Sequence, residues 1–189
     1  MNVFDFDKTV YPNDSTADFI VYIALHHPWV IAELIKGLPT VVAYKRGRVT
    51  KTAMKQKLFV CFSRVPDIDS DIKRFWDKRI KRIEGWYLNM KTADDVIISA
   101  SPEFLLSEAC ARLGIKNLIA SRVDKKNGEY TGENCYGEEK IRRFKERFPD
   151  AEIDAFYSDS YSDVYMARLA KTAYKIDGKK ASPWKKERL

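Results

Sequence analysis

The chain has 189 residues, the size of one domain or of a domain with a sizeable insertion, and its 45% apolar and 13% aromatic content excludes global disorder. Its 34 Lys and Arg against 27 Asp and Glu give +7, a surface that attracts phosphates and anionic headgroups. No zinc-ligand spacing and no interleaved aromatic–basic signature accompanies that charge, so no nucleic-acid partner is expected.

Val3, Phe4 and Phe6 make an apolar run long enough for a buried strand and too short for a helix. Asp5 interrupts it, and Asp7, Lys8 and Thr9 end it. A carboxylate inside a buried strand is unfavourable unless it is paired or binds a metal. Two carboxylates at i and i+2 emerge together where such a strand stops, at the edge where open α/β folds place their chemistry. A motif that starts at residue 3 leaves no signal peptide to be expected ahead of it. Asn13, Asp14, Ser15 and Thr16 supply caps for a helix over 17–25. Pro28 restarts the chain into a helix over 29–36, which Gly37 and Pro39 end. Residues 40–44 are apolar, and Lys45-Arg46-Gly47-Arg48 turns the chain before helical spacing resumes over 50–62 and 69–90. Residues 13–91 therefore form a helical block without a strong strand.

From Asp94 the texture changes. A β-branched run over 96–98 ends in Ser99-Ala100-Ser101-Pro102, and Pro102 opens a helix over 103–113 that Gly114 closes. A strand over 116–120, a hairpin around 125–128, a helix over 138–148 and a strand over 153–157 follow. Ser158-Asp159-Ser160 ends that strand, a helix covers 163–170, and a last strand covers 173–176 before a basic, loosely held tail. Alternating strands and helices imply an α/β fold with a parallel sheet and right-handed crossovers. The expected division is a core of 1–12 and 92–189, with about five strands, and a helical cap over 13–91 inserted after the first strand. No clean apolar run of about 20 residues is present. The segment 17–44 comes nearest, and His26, His27, Pro28, Glu33, Lys36 and Pro39 interrupt it. Cys61, Cys110 and Cys135 are odd in number and widely spaced, which argues against a structural zinc site and fits a reducing cytoplasm.

Strand ends and helix starts carry groups suited to one phosphate and one divalent metal. Asp5 and Asp7 follow the first strand, Ser99 follows the second, Lys140 begins a later helix, and Asp159 and Asp163 follow the fourth strand. Asp5, Asp159 and the backbone carbonyl of Asp7 suit magnesium, which prefers carboxylate and carbonyl oxygens plus water. Lys140 offsets part of the acidic charge and can hold a phosphoryl oxygen, and Ser99 with the amides after it offers donors for the others. Each has a bland explanation when taken singly: Ser99 and Asp163 as helix caps, Lys140 as a solvated cation. Their joint fall on one sheet edge is harder to explain that way.

Asp5-Phe6-Asp7-Lys8-Thr9, Ser99, Lys140 and Asp159 with Asp163 match, in order and interval, the four motifs of the haloacid dehalogenase-like phosphohydrolase superfamily, which the chain resembles over nearly its whole length. The insertion between the first two motifs resembles the branch that includes phosphoserine phosphatase. Ile98-Ser99-Ala100-Ser101-Pro102, Tyr130-Thr131-Gly132, Cys135–Lys140 and Tyr157-Ser158-Asp159-Ser160 look most like a subgroup with phosphatidylglycerophosphatase-type enzymes. The resemblance implies a Rossmann-like core and a magnesium-dependent phosphatase. Asp5 is then the nucleophile that forms an aspartyl-phosphate, and Asp7 is the acid and base. Ser99, Ala100, Lys140 and Thr9 would bind phosphate, Asp5, Asp7 and Asp159 the metal, with Asp163 and Ser160 in support. Dehalogenases lack the second aspartate, so Asp7 favours phosphate chemistry.

The substrate expected is a phosphorylated small molecule or lipid. Ala100-Ser101 stands where phosphoserine phosphatases usually carry two glycines, and Asp14, near the place of their acidic cap residue, is more simply a helix cap. Apolar residues over 19–44, with Lys36, Lys45, Arg46 and Arg48 at their edge, suit peripheral contact with an anionic membrane. For most of them the simpler role is the cap's own core and its contact with the sheet, since a small cap needs a core. Phosphotransfer to another acceptor, a small-metabolite phosphatase and a non-catalytic phospholigand-binding protein are the alternatives.

Overall fold

β1 (Asn2–Phe4) is three residues long, yet it occupies the middle of the sheet. The structure, a computed structural model, describes residues 1–185. The sheet has six strands in the order β3-β2-β1-β4-β5-β6, with β2 (Val96–Pro102), β3 (Asn117–Ser121), β4 (Ile153–Ser158), β5 (Ala170–Asp177) and β6 (Lys180–Pro183). The first five in chain order run parallel, and β6 pairs antiparallel with β5. From β1 the chain winds outward through β2 and β3, then returns to the other flank of β1 for β4 and β5. The reversal between β1 and β4 leaves a crevice at their carboxyl ends, where open α/β sheets bind ligands.

Five helices separate β1 from β2: α1 (Ser15–His26), α2 (Val30–Lys45), α3 (Lys51–Phe59), α4 (Ile68–Arg79) and α5 (Gly85–Met90). α6 (Glu103–Leu113), α7 (Glu138–Arg147) and α8 (Val164–Leu169) are the remaining crossovers. The alternation of a pleated strand sorts the core into two layers. Phe4, Ile97 and Tyr157 point to one face, where Phe19, Phe75, Trp76, Tyr87 and Leu106 bring the inserted helices and α6 into one continuous cluster. Val3, Val96, Ile98 and Phe156 point to the other, against Phe144 of α7 and Met166 of α8.

Several expected boundaries move. α2 does not stop at Gly37 and Pro39 but continues to Lys45. Pro39 and Ile35 are both exposed there, so water can satisfy the Ile35 carbonyl that proline leaves without its helical donor. Gly37 lets α2 lie against α3, since a Cβ at that position would stand 2.9 Å from the Leu58 side chain. The expected helices over 50–62 and 69–90 are broken by 3-10 turns at Val60–Arg64 and Ile80–Arg82. The tail beyond Gly178 is a sixth strand rather than a loose end, because Trp184 is buried beside Val3 and Phe156 and its amide donates to the Ala173 carbonyl. The final residues of that expected tail, 186–189, lie outside the described residues. The expected hairpin is present: Val123 and Tyr130 form an antiparallel bridge, and the Gly128 amide donates to the Asp124 carbonyl.

Candidate active site

Asp5 sits one residue past β1, and its amide still donates to Tyr157 of β4 at 2.9 Å. The chain then closes a tight turn in which the Val10 and Tyr11 amides both donate to the Phe6 carbonyl. Lys8 adopts φ 57° at that turn, a left-handed conformation uncommon for a side-chain-bearing residue. The turn re-aims Asp7 toward the mouth of the crevice and leaves Asp5 at its floor. Thr9 is fully buried, and its hydroxyl accepts a hydrogen bond from the Asp159 amide at 3.0 Å, which ties the loop after β4 to the loop after β1.

Lys140 is the centre of charge balance. It lies in the first turn of α7, almost fully buried, and donates to Asp5 Oδ1 and Asp163 Oδ2 at 2.8 Å each. Asp163 also accepts from Ser158 Oγ at 2.7 Å. Burial pulls the Lys140 ammonium down, but Asp163 and Asp5 beside it more than offset that and leave its pKa raised. Burial pushes Asp5 up to about 7; Lys140 opposes the rise while Asp163 and Asp7 add to it. Asp5 Oδ2 accepts no hydrogen bond from a described residue, so one oxygen of this carboxylate is held and the other is open.

Asp7 is held at both oxygens. The Ser15 amide, at the start of α1, donates to Oδ1 at 2.8 Å, and Ser101 Oγ donates to Oδ2 at 2.5 Å. Ser101 in turn lies 2.8 Å from the Thr16 hydroxyl, and its amide donates to Ser99 Oγ. Burial raises the Asp7 pKa, Asp14 adds to the rise, and the bonds from Ser101 and Ser15 oppose it.

A polar cleft of about 190 Å³ brings together Asp5, Asp7, Ser99, Ala100, Lys140, Asp159, Ser160 and Asp163. Of the expected site residues only Thr9 stands outside its lining. Lys8, Asp14, Lys51, Lys55, Tyr136 and Ser162 complete the wall. Asp14 caps α1 by accepting from the Ala17 amide and faces the cleft as well. Lys55 of α3 donates to the Ala100 carbonyl at 3.0 Å; burial, with Lys51 nearby, lowers its pKa although Asp14, Asp7 and Asp5 oppose the shift. A wider trench of about 420 Å³ adjoins this cleft through Lys8, Asp14 and Asp159.

Ser101, Thr16, Lys51 and Lys55 were not legible as site residues. Ser101 carried a faint signal, two positions after Ser99 at the same strand end, but the register shift in β2 between Ser99 and Pro102 is what turns it onto Asp7. Lys51 and Lys55 reach the cleft only because α3 packs beside it, which no local pattern announces.

Residues 3–168 match the family model of haloacid dehalogenase-like hydrolases. The chain belongs to that family. It is similar to Protein CicA of Caulobacter vibrioides, 28% identical over 186 residues, covering 88% of this chain and 81% of that protein. A structure of a protein with unknown function from Bordetella pertussis Tohama I superposes with a TM-score of 0.72 at 18% identity, covering 92% of this chain and 87% of the other. A phosphoserine phosphohydrolase-like protein from Francisella tularensis gives 0.60 at 17% identity, covering 92% and 86%. At such identities the two structures establish the fold: the six-stranded, mostly parallel sheet of this chain is the Rossmann-like fold of the family. Among the described residues no helix is long and apolar enough to cross a membrane.

Proposed function

We propose that the protein is a magnesium-dependent phosphatase that hydrolyses a phosphomonoester through an aspartyl-phosphate on Asp5. The observation that carries this reading is the asymmetry of Asp5: Oδ1 is fixed by buried Lys140, and Oδ2 faces the cleft without a hydrogen bond from a described residue. A nucleophile needs one oriented lone pair in a place that the substrate can enter. Oδ2 attacks phosphorus, the bond from phosphorus to the ester oxygen breaks, and Asp7 gives its proton to that oxygen. Water then attacks the phosphoenzyme, Asp7 takes the proton, the bond from phosphorus to Asp5 breaks, and inorganic phosphate leaves. The raised pKa of Asp7 suits a group that must hold a proton in one half-reaction and release it in the other. Lys140, Ser99 and Ala100 line the same cleft, and the Lys140 ammonium, the Ser99 hydroxyl and the Ala100 amide would bear charge on the phosphoryl oxygens.

The donor set fits a hard divalent cation. Asp5, Asp159 and the carbonyl of Asp7 offer oxygens alone, and while Lys175 Nζ donates to the backbone carbonyl of Asp159, the Asp159 carboxylate accepts no hydrogen bond from a described residue. Burial raises the pKa of Asp159 as well, with Lys175 and Lys8 opposing the rise. Among the described residues no three His, Cys, Asp or Glu side chains form a ready cage. Two carboxylates and a carbonyl suit magnesium, which keeps several waters and shares ligands with phosphate. When bound, magnesium supplies the charge neutralisation that lets two anions meet.

The cleft has room for the phosphoryl group and its nearest atoms, so the leaving group extends beyond it. A lipid phosphate or a small soluble ester meets that requirement. Phosphate release from a chromogenic aryl phosphate, with and without magnesium, tests the reaction. The native protein should turn over only with the cation, Asp5→Asn should be inactive, and Asp7→Asn should be slower by orders of magnitude. Full activity of Asp5→Asn would overturn the reading.

A further inference from the structure

We infer that the outer face of α2 docks on an anionic lipid surface. Four large apolar side chains on that helix, Ile31, Ile35, Leu38 and Val42, are exposed by 44%, 59%, 54% and 47%. Their spacing of four, three and four residues places them in one stripe along the helix. The stripe is not the side by which α2 is packed. Val30 and Gly37 are the buried positions of the helix, about a quarter-turn or more away, and Gly37 abuts Leu58 of α3. α2 is thus apolar on two sides, of which the protein covers one. Leu25, near the end of α1, and Trp29, at the N-terminus of α2, are also exposed, by 75% and 56%.

Charge identifies the occupant. Between Pro28 and Pro66 stand eight Lys and Arg and a single acid, Glu33, so the other residues of the chain carry 26 of each sign and the whole net charge of +7 resides in this segment. Glu33 is already engaged by Lys36 and Arg64. Lys36, Lys45, Arg46, Arg48, Lys51, Lys57 and Arg64 are all exposed, and only Lys55 is half-buried. Lys45 and Arg46 prolong the stripe at its C-terminal end, whereas Arg64, paired with Glu33 and accepting from the Trp29 indole at its carbonyl, lies on the opposite, packed side of the helix. A helix face with branched apolar side chains and cations at its C-terminal end is what an interfacial helix needs: apolar groups enter the acyl boundary while basic groups meet headgroup phosphates. Lys51, at the start of α3, belongs to the same basic segment and to the wall of the catalytic cleft.

The docking is independent of the reaction, and its test needs no turnover. The full chain is sedimented with vesicles of phosphatidylcholine alone or with about 30% phosphatidylglycerol. We expect partition into the anionic vesicles at least about tenfold above the neutral ones, weakening as salt is added. Ile35→Glu with Leu38→Glu should abolish the partition, and Lys45→Gln with Arg46→Gln and Arg48→Gln should remove most of its dependence on the anionic lipid. Circular dichroism and activity on a soluble aryl phosphate should be unchanged in both variants, which separates lost docking from lost fold. Equal sedimentation with both vesicles, or a Leu38→Glu variant that converts a native dimer to monomer in analytical ultracentrifugation, would overturn the inference, the latter by showing that a second copy covers the stripe.

Discussion

Lys140 donates to Asp5 and to Asp163 with both distances 2.8 Å, although Asp5 lies 135 residues away and Asp163 lies 23. One buried ammonium therefore holds the open carboxylate of the cleft and the base of the loop that carries Asp159. Lys140→Met leaves two buried carboxylates without their cation, for which about 3–5 kcal/mol of lost stability is expected. Asp163→Asn added to it should recover part of the stability, by removing one orphaned charge, and none of the activity. Urea denaturation and phosphate release on the same samples check both halves.

The raised pKa of Asp5 predicts how stability depends on pH. In the unfolded chain the carboxyl loses its proton near 3.8, whereas in the fold it holds it to about 7. Between those values the folded state binds more protons, so stability falls as pH rises and stays lower above the window. Asp7 and Asp159, shifted in the same direction, add to the slope. A cation that binds the ionised carboxylates should therefore stabilise the protein strongly at pH 8 and little at pH 5. Thermal unfolding at both pH values, with and without magnesium, measures this. Asp5→Asn should flatten the slope and lose most of the magnesium effect.

Ser101 positions Asp7. Its hydroxyl reaches Asp7 Oδ2, links to Thr16 at the start of α1, and holds the Asp7 pKa below the level that burial would set. Ser101→Ala should lower kcat about tenfold with little change in KM, and should move the alkaline limb of the rate profile to higher pH, because Asp7 then keeps its proton longer. Ser101→Thr, which retains the hydroxyl, should restore the native profile. A tenfold loss of rate with an unmoved pH profile would assign Ser101 a packing role only.

The hairpin that carries Gly128 leans on the end of α3. Gly128 has φ +77°, and a Cβ there would come within 2.3 Å of the Phe59 carbonyl carbon. Backbone cannot yield as a flexible side chain does, so Gly128→Ala should destabilise by about 1–3 kcal/mol through strain and a displaced hairpin. Gly132→Ala, with nothing within 4 Å of its Cβ, is the control that should leave the urea midpoint nearly unchanged.

Much of the crevice was readable along the chain because its groups stand at local landmarks. A carboxylate where a short apolar run stops, a serine where the next strand stops, and a lysine in the first turn of a helix are set by neighbouring residues, and Asp5, Ser99, Lys140 and Asp159 all face the cleft. Residues that depend on another segment were not readable. Thr9, expected to bind phosphate, turns to the Asp159 amide 150 residues on. Ser101 and Lys55 take their places from a shifted register and a helix packed at the mouth.

The same division holds for the fold. Hydrophobic periodicity and turn chemistry are short-range properties, and they determined the alternation of strands and helices, the long helical insertion and the approximate start of nearly every element. The tertiary structure alone decided that α2 runs through Gly37 and Pro39, that the tail becomes a sixth strand under Trp184, and which apolar residues over 19–44 are core. Phe19, Ile23 and Val30 are buried, while Ile31, Ile35, Leu38 and Val42 face outward. Sequence records that a side chain is apolar; burial depends on which surface arrives to cover it, and that surface is built from residues far away in the chain.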